Sequence, residues 1–226
     1  MSGAGGIQQG PVQFAPAKNI KDAEAWAKKN GFELKGVKNK QMANVINEQV
    51  FNDMKKLGMV DDAGAGFVEI EKSGIAGGAE GAGGIKIKGP RTTLSGLGED
   101  LQAALKDYSI VDYSGTDNFI GTLNHELGHK RYFNPKSIPK EMRTKISAAT
   151  KDLRVSLESG EMIPSDFGGY VNMFSRGKKF TDLSSGRAFD LIQEAWAETY
   201  GAVRSGYANK LSTNVKGFIR RHPDVF

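Results

Sequence analysis

Residues 119–129 read Phe-Ile-Gly-Thr-Leu-Asn-His-Glu-Leu-Gly-His, and they carry the most specific pattern in the chain. Residues four apart on an α-helix share one face, so His125 and His129 can direct their imidazoles at a single ion. Glu126 then lies beside the coordination position that the histidines leave open. The opposite side of this helix carries an apolar stripe, formed by Phe119, Ile120, Leu123 and Leu127. The stretch therefore predicts a helix with a core side and a chemical side that faces a cleft.

Two features of this stretch favour a metal site over a helix with two ordinary histidines. The chain has only three histidines, so this spacing arises by chance on the order of a few times in a thousand. Gly128 costs about 1 kcal/mol of helix propensity relative to Ala. That cost is easier to understand if backbone or substrate packs closely against Gly128.

A catalytic metal needs a third protein ligand, and the chain has no cysteine to supply one. A helix predicted over residues 188–203 places Glu194 and Glu198 on one face. An apolar stripe lies opposite them, formed by Phe189, Ile192, Trp196 and Val203. The two carboxylates can serve a metal and its surroundings, or they can form the solvated face of an ordinary amphipathic helix. His222, close to the chain end, is better interpreted as a surface residue.

Composition predicts one soluble globular domain. The chain has 226 residues, of which 38% are hydrophobic and 25% charged, with a net charge of +5. Residues 1–18 are rich in Gly, Gln, Pro and Ala and are expected to form a flexible arm, with the domain over residues 19–226. No membrane span, signal peptide or nucleic-acid partner is indicated. A cytoplasmic protein is therefore expected.

The rest of the chain predicts an α+β fold, with helices packed on a small mixed sheet. Helices are expected from Ile20 to Asn30, over 42–57, from Ile138-Pro139 to Gly160, and over 188–203. Strands are expected over 32–37, 67–71 and 85–88, with residues 74–84 as a loop or wide hairpin connection and residues 164–187 as a loop. Residues 94–111 are mixed in pattern, and residues 114–117 offer an N-cap for the histidine helix. No Gly-Lys-Ser/Thr sequence follows the glycine-rich segment, so a phosphate-binding loop is not expected.

The two helical segments, His-Glu-Leu-Gly-His and Glu-Ala-Trp-Ala-Glu-Thr-Tyr, together resemble the zincin metallopeptidases of the anthrax lethal factor type. The order of elements also resembles the zincin-like domains of bacteriophage minor head proteins and of some bacterial toxins. The resemblance covers nearly everything after the arm. It implies a zincin-like fold and a Zn²⁺ ion bound by His125, His129 and Glu194. It also implies that Glu126 acts as general base and that Glu198 supports the site from outside the ligand set.

The resembling family often places a tyrosine just before the glutamate helix, where its hydroxyl stabilises an oxyanion. Residues 164–170 of this chain read Pro-Ser-Asp-Phe-Gly-Gly-Tyr. Phe167 stands where that tyrosine is expected, and Tyr170 is the candidate to replace it.

The resulting expectation is a zinc peptidase in which water attacks a peptide carbonyl and Glu126 transfers the proton. An extended protein or peptide substrate is expected to pair with an edge strand at residues 85–87. One alternative is a structural virion module that retains the fold, with the arm as its contact segment and phage structural proteins as its partners. Another is a toxin or effector protease. The expected location is the bacterial cytoplasm or the virion.

Overall fold

The computed structural model describes residues 13–71, 77–81, 84–88, 119–133 and 135–226. Within these ranges lie the helices α1 (Ile20–Lys29), α2 (Lys40–Leu57), α3 (Phe119–Phe133), α4 (Lys140–Ser159), α5 (Gly169–Ser175), α6 (Ser185–Arg204) and α7 (Thr213–Arg221). Short 3-10 helices occupy Pro135–Ser137, Pro164–Phe167, Phe180–Asp182 and Ala208–Lys210. The combination of these helices with one sheet agrees with the predicted α+β class.

The sheet contains β1 (Phe32–Lys35), β2 (Gly66–Glu71), β3 (Gly77–Gly81) and β4 (Gly84–Lys88), in the spatial order β1-β2-β4-β3. β2 pairs in parallel with both β1 and β4, whereas β3 pairs antiparallel with β4. In β2 and β4 the apolar residues of the alternating pattern are buried, namely Val68, Ile70, Ile85 and Ile87. The predicted small mixed sheet is therefore confirmed.

The first two helices begin where the sequence provides a capping side chain. Asn19 accepts a hydrogen bond from the backbone N–H of Asp22 at 2.9 Å. Asn39 accepts one from the backbone N–H of Gln41 at 2.8 Å. These bonds satisfy amide groups that lack a partner within their helix. α1 and α2 then pack on each other through buried residues that include Ala23, Ala27, Ile46 and Val50.

Helix α3 lies in the middle of the domain and positions the histidine pair. It contacts α6, α2 and the strands β3 and β4. The predicted core side is buried, with Phe119, Leu123 and Leu127 fully covered. On the opposite side, predicted to face a cleft, His125 and His129 are only 8% and 7% exposed. Neighbouring elements cover both sides of the helix.

Two strand predictions need correction. β4 lies between β2 and β3, so residues 85–87 do not form the edge to which a substrate could add. The predicted connection over residues 74–84 contains a strand of its own, β3, which forms a hairpin with β4. The glycine-rich residues of β3 have no alternating apolar pattern, so the local sequence did not predict a strand. β3 is a strand because its backbone pairs with β4.

Two further segments contain more helix than predicted. Residues 164–187, expected as a loop, contain α5 and two of the 3-10 turns, and α7 follows the helix that was expected to be the last. Ser212 caps α7 by accepting a hydrogen bond from the backbone N–H of Val215 at 3.2 Å. The predictions for residues 94–111 and for the N-cap at 114–117 lie outside the described residues.

The part of the predicted arm that the structure describes is anchored to the helices. The Phe14 ring packs edge-on against Trp26, with 5.4 Å between ring centroids. The backbone N–H of Ala17 donates a hydrogen bond to the side chain of Asn44 at 2.8 Å. The Phe14 ring also lies 6.0 Å from that of Phe51 in α2. Residues 13–18 therefore lie against α1 and α2.

Candidate metal centre

The site forms where α3 and α6 pack closely together, and two glycines make that approach possible. A Cβ atom added to Gly128 would lie 2.9 Å from Cα of Ala197, closer than real Cβ contacts. One added to Gly201 would lie 3.0 Å from the backbone nitrogen of His125. The low helix propensity of Gly128 predicts close packing at this position. The structure shows this close packing, and the neighbour is the backbone of α6. Gly201 was not identified from the sequence.

A buried tryptophan fixes the same contact. Trp196 is fully buried, and its indole N–H donates a hydrogen bond to the carbonyl oxygen of Gly128 at 3.1 Å. A buried indole N–H without a partner would be costly, so this bond favours one relative position of α3 and α6. The faces that carry the histidine pair and the glutamate pair are thereby held against each other.

Three candidate ligand atoms form a compact triangle. Nε2 of His125 lies 3.1 Å from Nε2 of His129. Oε2 of Glu194 lies 3.4 Å from the first of these nitrogens and 3.5 Å from the second. Both Glu194 distances exceed the usual range of an N–H···O hydrogen bond. The three residues form a group that could hold a metal ion, and no other such group lies within the described ranges.

The size of the triangle fits a tetrahedral zinc ion. Ligand atoms about 2.0–2.1 Å from a tetrahedral centre lie about 3.3–3.4 Å apart, which is close to the three observed separations. Oε2 of Glu194 and Nδ1 of His129 are buried and have no hydrogen-bond partner. The first of these atoms lies at the triangle, where it could accept a bond from a cation. Two histidines and one carboxylate form a known catalytic zinc donor set.

Glu198 contacts the other nitrogen of the first histidine. Its Oε2 lies 2.9 Å from Nδ1 of His125, and its side chain is almost completely buried. A proton on Nδ1 donated to this carboxylate leaves Nε2 of the same ring with a lone pair directed into the triangle. The geometry therefore places Glu194 in the triangle of candidate ligand atoms and Glu198 behind His125.

The buried charges around the triangle shift the pKa values of its members. Burial disfavours the imidazolium of His125, but the neighbouring carboxylates of Glu194, Glu198 and Glu126 outweigh burial and raise its pKa well above the ordinary value. Burial also disfavours the carboxylate of Glu194. The facing imidazoles of His125 and His129 outweigh that effect and lower the pKa of Glu194 to about 2. The pocket thus favours positive charge at its centre.

The remaining predicted site residues lie at different distances from the triangle. Glu126 is 4% exposed, and its charge acts on His125. Tyr170, at the start of α5, is half-buried with its ring 6.2 Å from the His125 ring. Phe167 is fully buried in the core and provides no polar atom. His222 lies 2.8 Å from Asp152 of α4, away from the other histidines and only partly exposed.

Behind the site lies a buried polar cluster that sequence reasoning missed. Nε of Arg131 donates a hydrogen bond to Asp53 at 2.7 Å, and the Tyr200 hydroxyl donates to the same carboxylate. All three side chains are at most 1% exposed. The cluster ties α2, α3 and α6 together. A signal was present, because Asp53 falls within the apolar periodicity of α2, between Val50 and Leu57.

None of the described helices is long and apolar enough to cross a membrane. Comparison with known proteins finds no matching family model, no similar curated protein and no similar solved structure.

Proposed function

We propose that the protein is a zinc-dependent peptidase whose metal is held by His125, His129 and Glu194. One observation carries the proposal: three ligand atoms of the right type form a triangle with sides of 3.1, 3.4 and 3.5 Å. Oε2 of Glu194 is buried without a hydrogen-bond partner, and a cation at the triangle would give this atom the partner that the surrounding side chains do not. The Nδ1 contact to Glu198 adds the outer support that metal-binding histidines usually have.

In the proposed hydrolysis, Glu126, Glu198 and the buried histidines have different roles. His125, His129 and Glu194 would hold the zinc ion, which would supply Lewis acidity for a carbonyl oxygen and for water. Glu126 accepts a proton from the attacking water and delivers it to the leaving nitrogen. Glu198 holds His125 in the tautomer that leaves Nε2 free. Low exposure of the histidines keeps bulk water away from the reacting atoms.

Tyr170 is proposed to stabilise the oxyanion that develops at the carbonyl. Its ring lies edge-on to His125, with an angle of 68° between the two planes. Phe174 packs against the other part of the ring at 5.4 Å and restricts its position. Phe167 cannot serve this role, because its side chain is buried in the core and has no hydroxyl.

The substrate backbone is proposed to add to β3 and not to β4. β3 is the terminal strand in the described sheet order, where its outer edge has no further strand, and it contacts α3. An extended peptide paired there would run beside the helix that carries His125 and His129. The phage origin, the bacterial cytoplasm or virion as location, and phage structural proteins as partners stay predictions from the resemblance.

Zinc titration and a peptide-library scan together test the proposal. The protein freed of metal with a chelator is expected to bind one zinc per chain by calorimetry and then to cleave a subset of the library. His129→Gln is expected to abolish tight zinc binding, whereas the matched control His222→Gln keeps it. Failure of the wild type to take up zinc would overturn the metal assignment. Stoichiometric zinc without cleavage of any peptide would favour the structural virion module.

A further inference from the structure

A groove opens between α4 and α6. Tyr132 and Phe133, which follow His129 at the end of α3, lie between this groove and the candidate metal centre. It encloses about 860 Å³ and is lined by both helices, by the end of α3 and by the 3-10 turn at Phe180–Asp182. This volume accommodates several side chains of a peptide. We call it the α4–α6 groove.

The floor of the α4–α6 groove is apolar. Ile146, Phe180 and Ile192 are at most 7% exposed and form its base. Phe189 lies at the side with 47% of its surface exposed, which is unusual for a large apolar residue beside a cavity. A ligand with one or two large apolar side chains would cover this surface.

The rim of the groove is basic, and two of its three cations have no acidic partner among the described residues. Arg143, Lys151 and Arg154 line it, and none of its lining residues is acidic. Within the described part of the chain, Arg154 pairs with Glu158, whereas Arg143 and Lys151 form no ion pair. A smaller adjoining cavity of about 440 Å³ on α4 again contains Arg143 and Lys151, together with Lys140. Such a concentration of one charge attracts a ligand of the opposite charge.

Aromatic rings connect the groove to the candidate metal centre. Phe133 stacks on the ring of His129 at 6.2 Å, and its ring lies 6.1 Å from that of Phe189. Phe189 and Tyr132, whose rings are 6.2 Å apart, line the groove. A chain segment lying in the groove would therefore lead towards His129.

We infer that the α4–α6 groove binds an acidic peptide segment that carries at least one large apolar side chain. The uncompensated cations of the rim select the acidic residues, and the apolar floor accepts the large side chain. A nucleic acid fits less well, because its phosphates would match the rim but would place no apolar side chain on the floor formed by Ile146, Phe180 and Ile192. The segment's role as a recognition element of a cleaved substrate rests on the proposed peptidase function, whereas its binding does not.

Peptide binding to the full chain tests the inference. Fluorescein-labelled peptides are titrated with the Glu126→Gln variant, so that no cleavage occurs, and anisotropy is recorded at low and high salt. The probes share a central Phe-Leu pair flanked by four Glu residues, by four Lys residues or by four Ser residues. A fourth probe replaces the Phe-Leu pair by Ser-Ser between Glu residues. The first probe is expected to bind at least about tenfold more tightly than any other, with affinity falling as salt rises.

Charge reversal at the rim provides the second arm. Arg143→Glu combined with Lys151→Glu is expected to weaken binding of the first probe at least about tenfold, since two attractions become repulsions. Lys21→Glu combined with Lys38→Glu makes the same charge change at exposed positions elsewhere and is expected to have little effect. Phe189→Ala, at an exposed position, is expected to remove the preference for the Phe-Leu pair. Circular dichroism checks that each variant is folded.

The outcomes separate this inference from the peptidase proposal. Equal binding of the Glu and Lys probes, or equal loss in the rim and control variants, would overturn the inference whatever the catalytic result. Displacement of the first probe by a single-stranded oligonucleotide at lower concentration than by unlabelled peptide would also overturn it. Selective binding of the first probe without cleavage by the wild type would uphold the groove and count against the peptidase.

Discussion

Replacing Gly128 by Ala tests whether close backbone contact between α3 and α6 assembles the candidate metal centre. On an isolated helix this change stabilises by about 1 kcal/mol. In the folded protein the new Cβ would lie 2.9 Å from Cα of Ala197 and 3.0 Å from Cβ of Tyr200. Neither neighbour is the flexible end of a side chain, so one helix must move. Overpacking costs about 1–3 kcal/mol, and the upper end of this range applies here because the clash is with a backbone Cα and a Cβ, so the cost exceeds the gain.

The net destabilisation is expected to reach about 2 kcal/mol, which lowers Tm by about 4–8 °C in a chain of this size. Thermal unfolding followed by circular dichroism with a chelator present measures this effect apart from metal binding. Zinc affinity, measured with a competing dye, is expected to fall as well, because the movement separates Glu194 from the histidines.

Gly217→Ala is the matched control for the same substitution. Gly217 lies inside α7, and the nearest atom to an added Cβ would be 3.9 Å away, at the end of an arginine side chain. This change is expected to stabilise by about 0.5–1 kcal/mol and to leave zinc affinity unaltered. If Gly128→Ala raised Tm as Gly217→Ala does and kept zinc affinity, the close contact would not be what assembles the site.

Four further predictions follow from the site. Glu194→Ala is expected to weaken zinc binding in calorimetry far more than Glu198→Ala, whose loss costs about 10–100-fold; equal losses would reject the assigned roles. Glu126→Gln is expected to keep zinc, by elemental analysis, but to lower turnover of a library-derived peptide at least about 100-fold, and unchanged turnover would exclude it as the base. Zinc affinity is expected to fall as the pH drops through the raised pKa of His125, because protons compete for its Nε2 while neighbouring carboxylates stabilise the imidazolium; a pH-independent affinity between pH 5 and about 8 would contradict this. Asp53→Asn is expected to destabilise the fold by about 3–5 kcal/mol in urea denaturation, since it leaves a buried arginine without its counter-charge, and a loss below about 1 kcal/mol would show that the buried cluster does not hold the helices.

The sequence determined the parts of this protein that depend on spacing within one element. His125 and His129 face the same way because a helix repeats every 3.6 residues, and Glu194 and Glu198 share a face for the same reason. The helix α2 and the strands β2 and β4 were also predicted from apolar periodicity, since that pattern is set by local geometry. The α+β class follows from these elements alone.

How the elements meet depends on tertiary packing. Local periodicity carries no information about which strands are neighbours, so β4 proved central and β3 became the edge. α3 and α6 approach closely because Gly128 and Gly201 each lie against the backbone of the opposite helix. The sequence of one helix does not show which residues of the other helix it will contact. The proximity of Tyr170 to His125 and the α4–α6 groove arise likewise from non-local packing. The spacing of His125 and His129 is set within one helix. Bringing Glu194 to the same point requires the packing of two helices in the core.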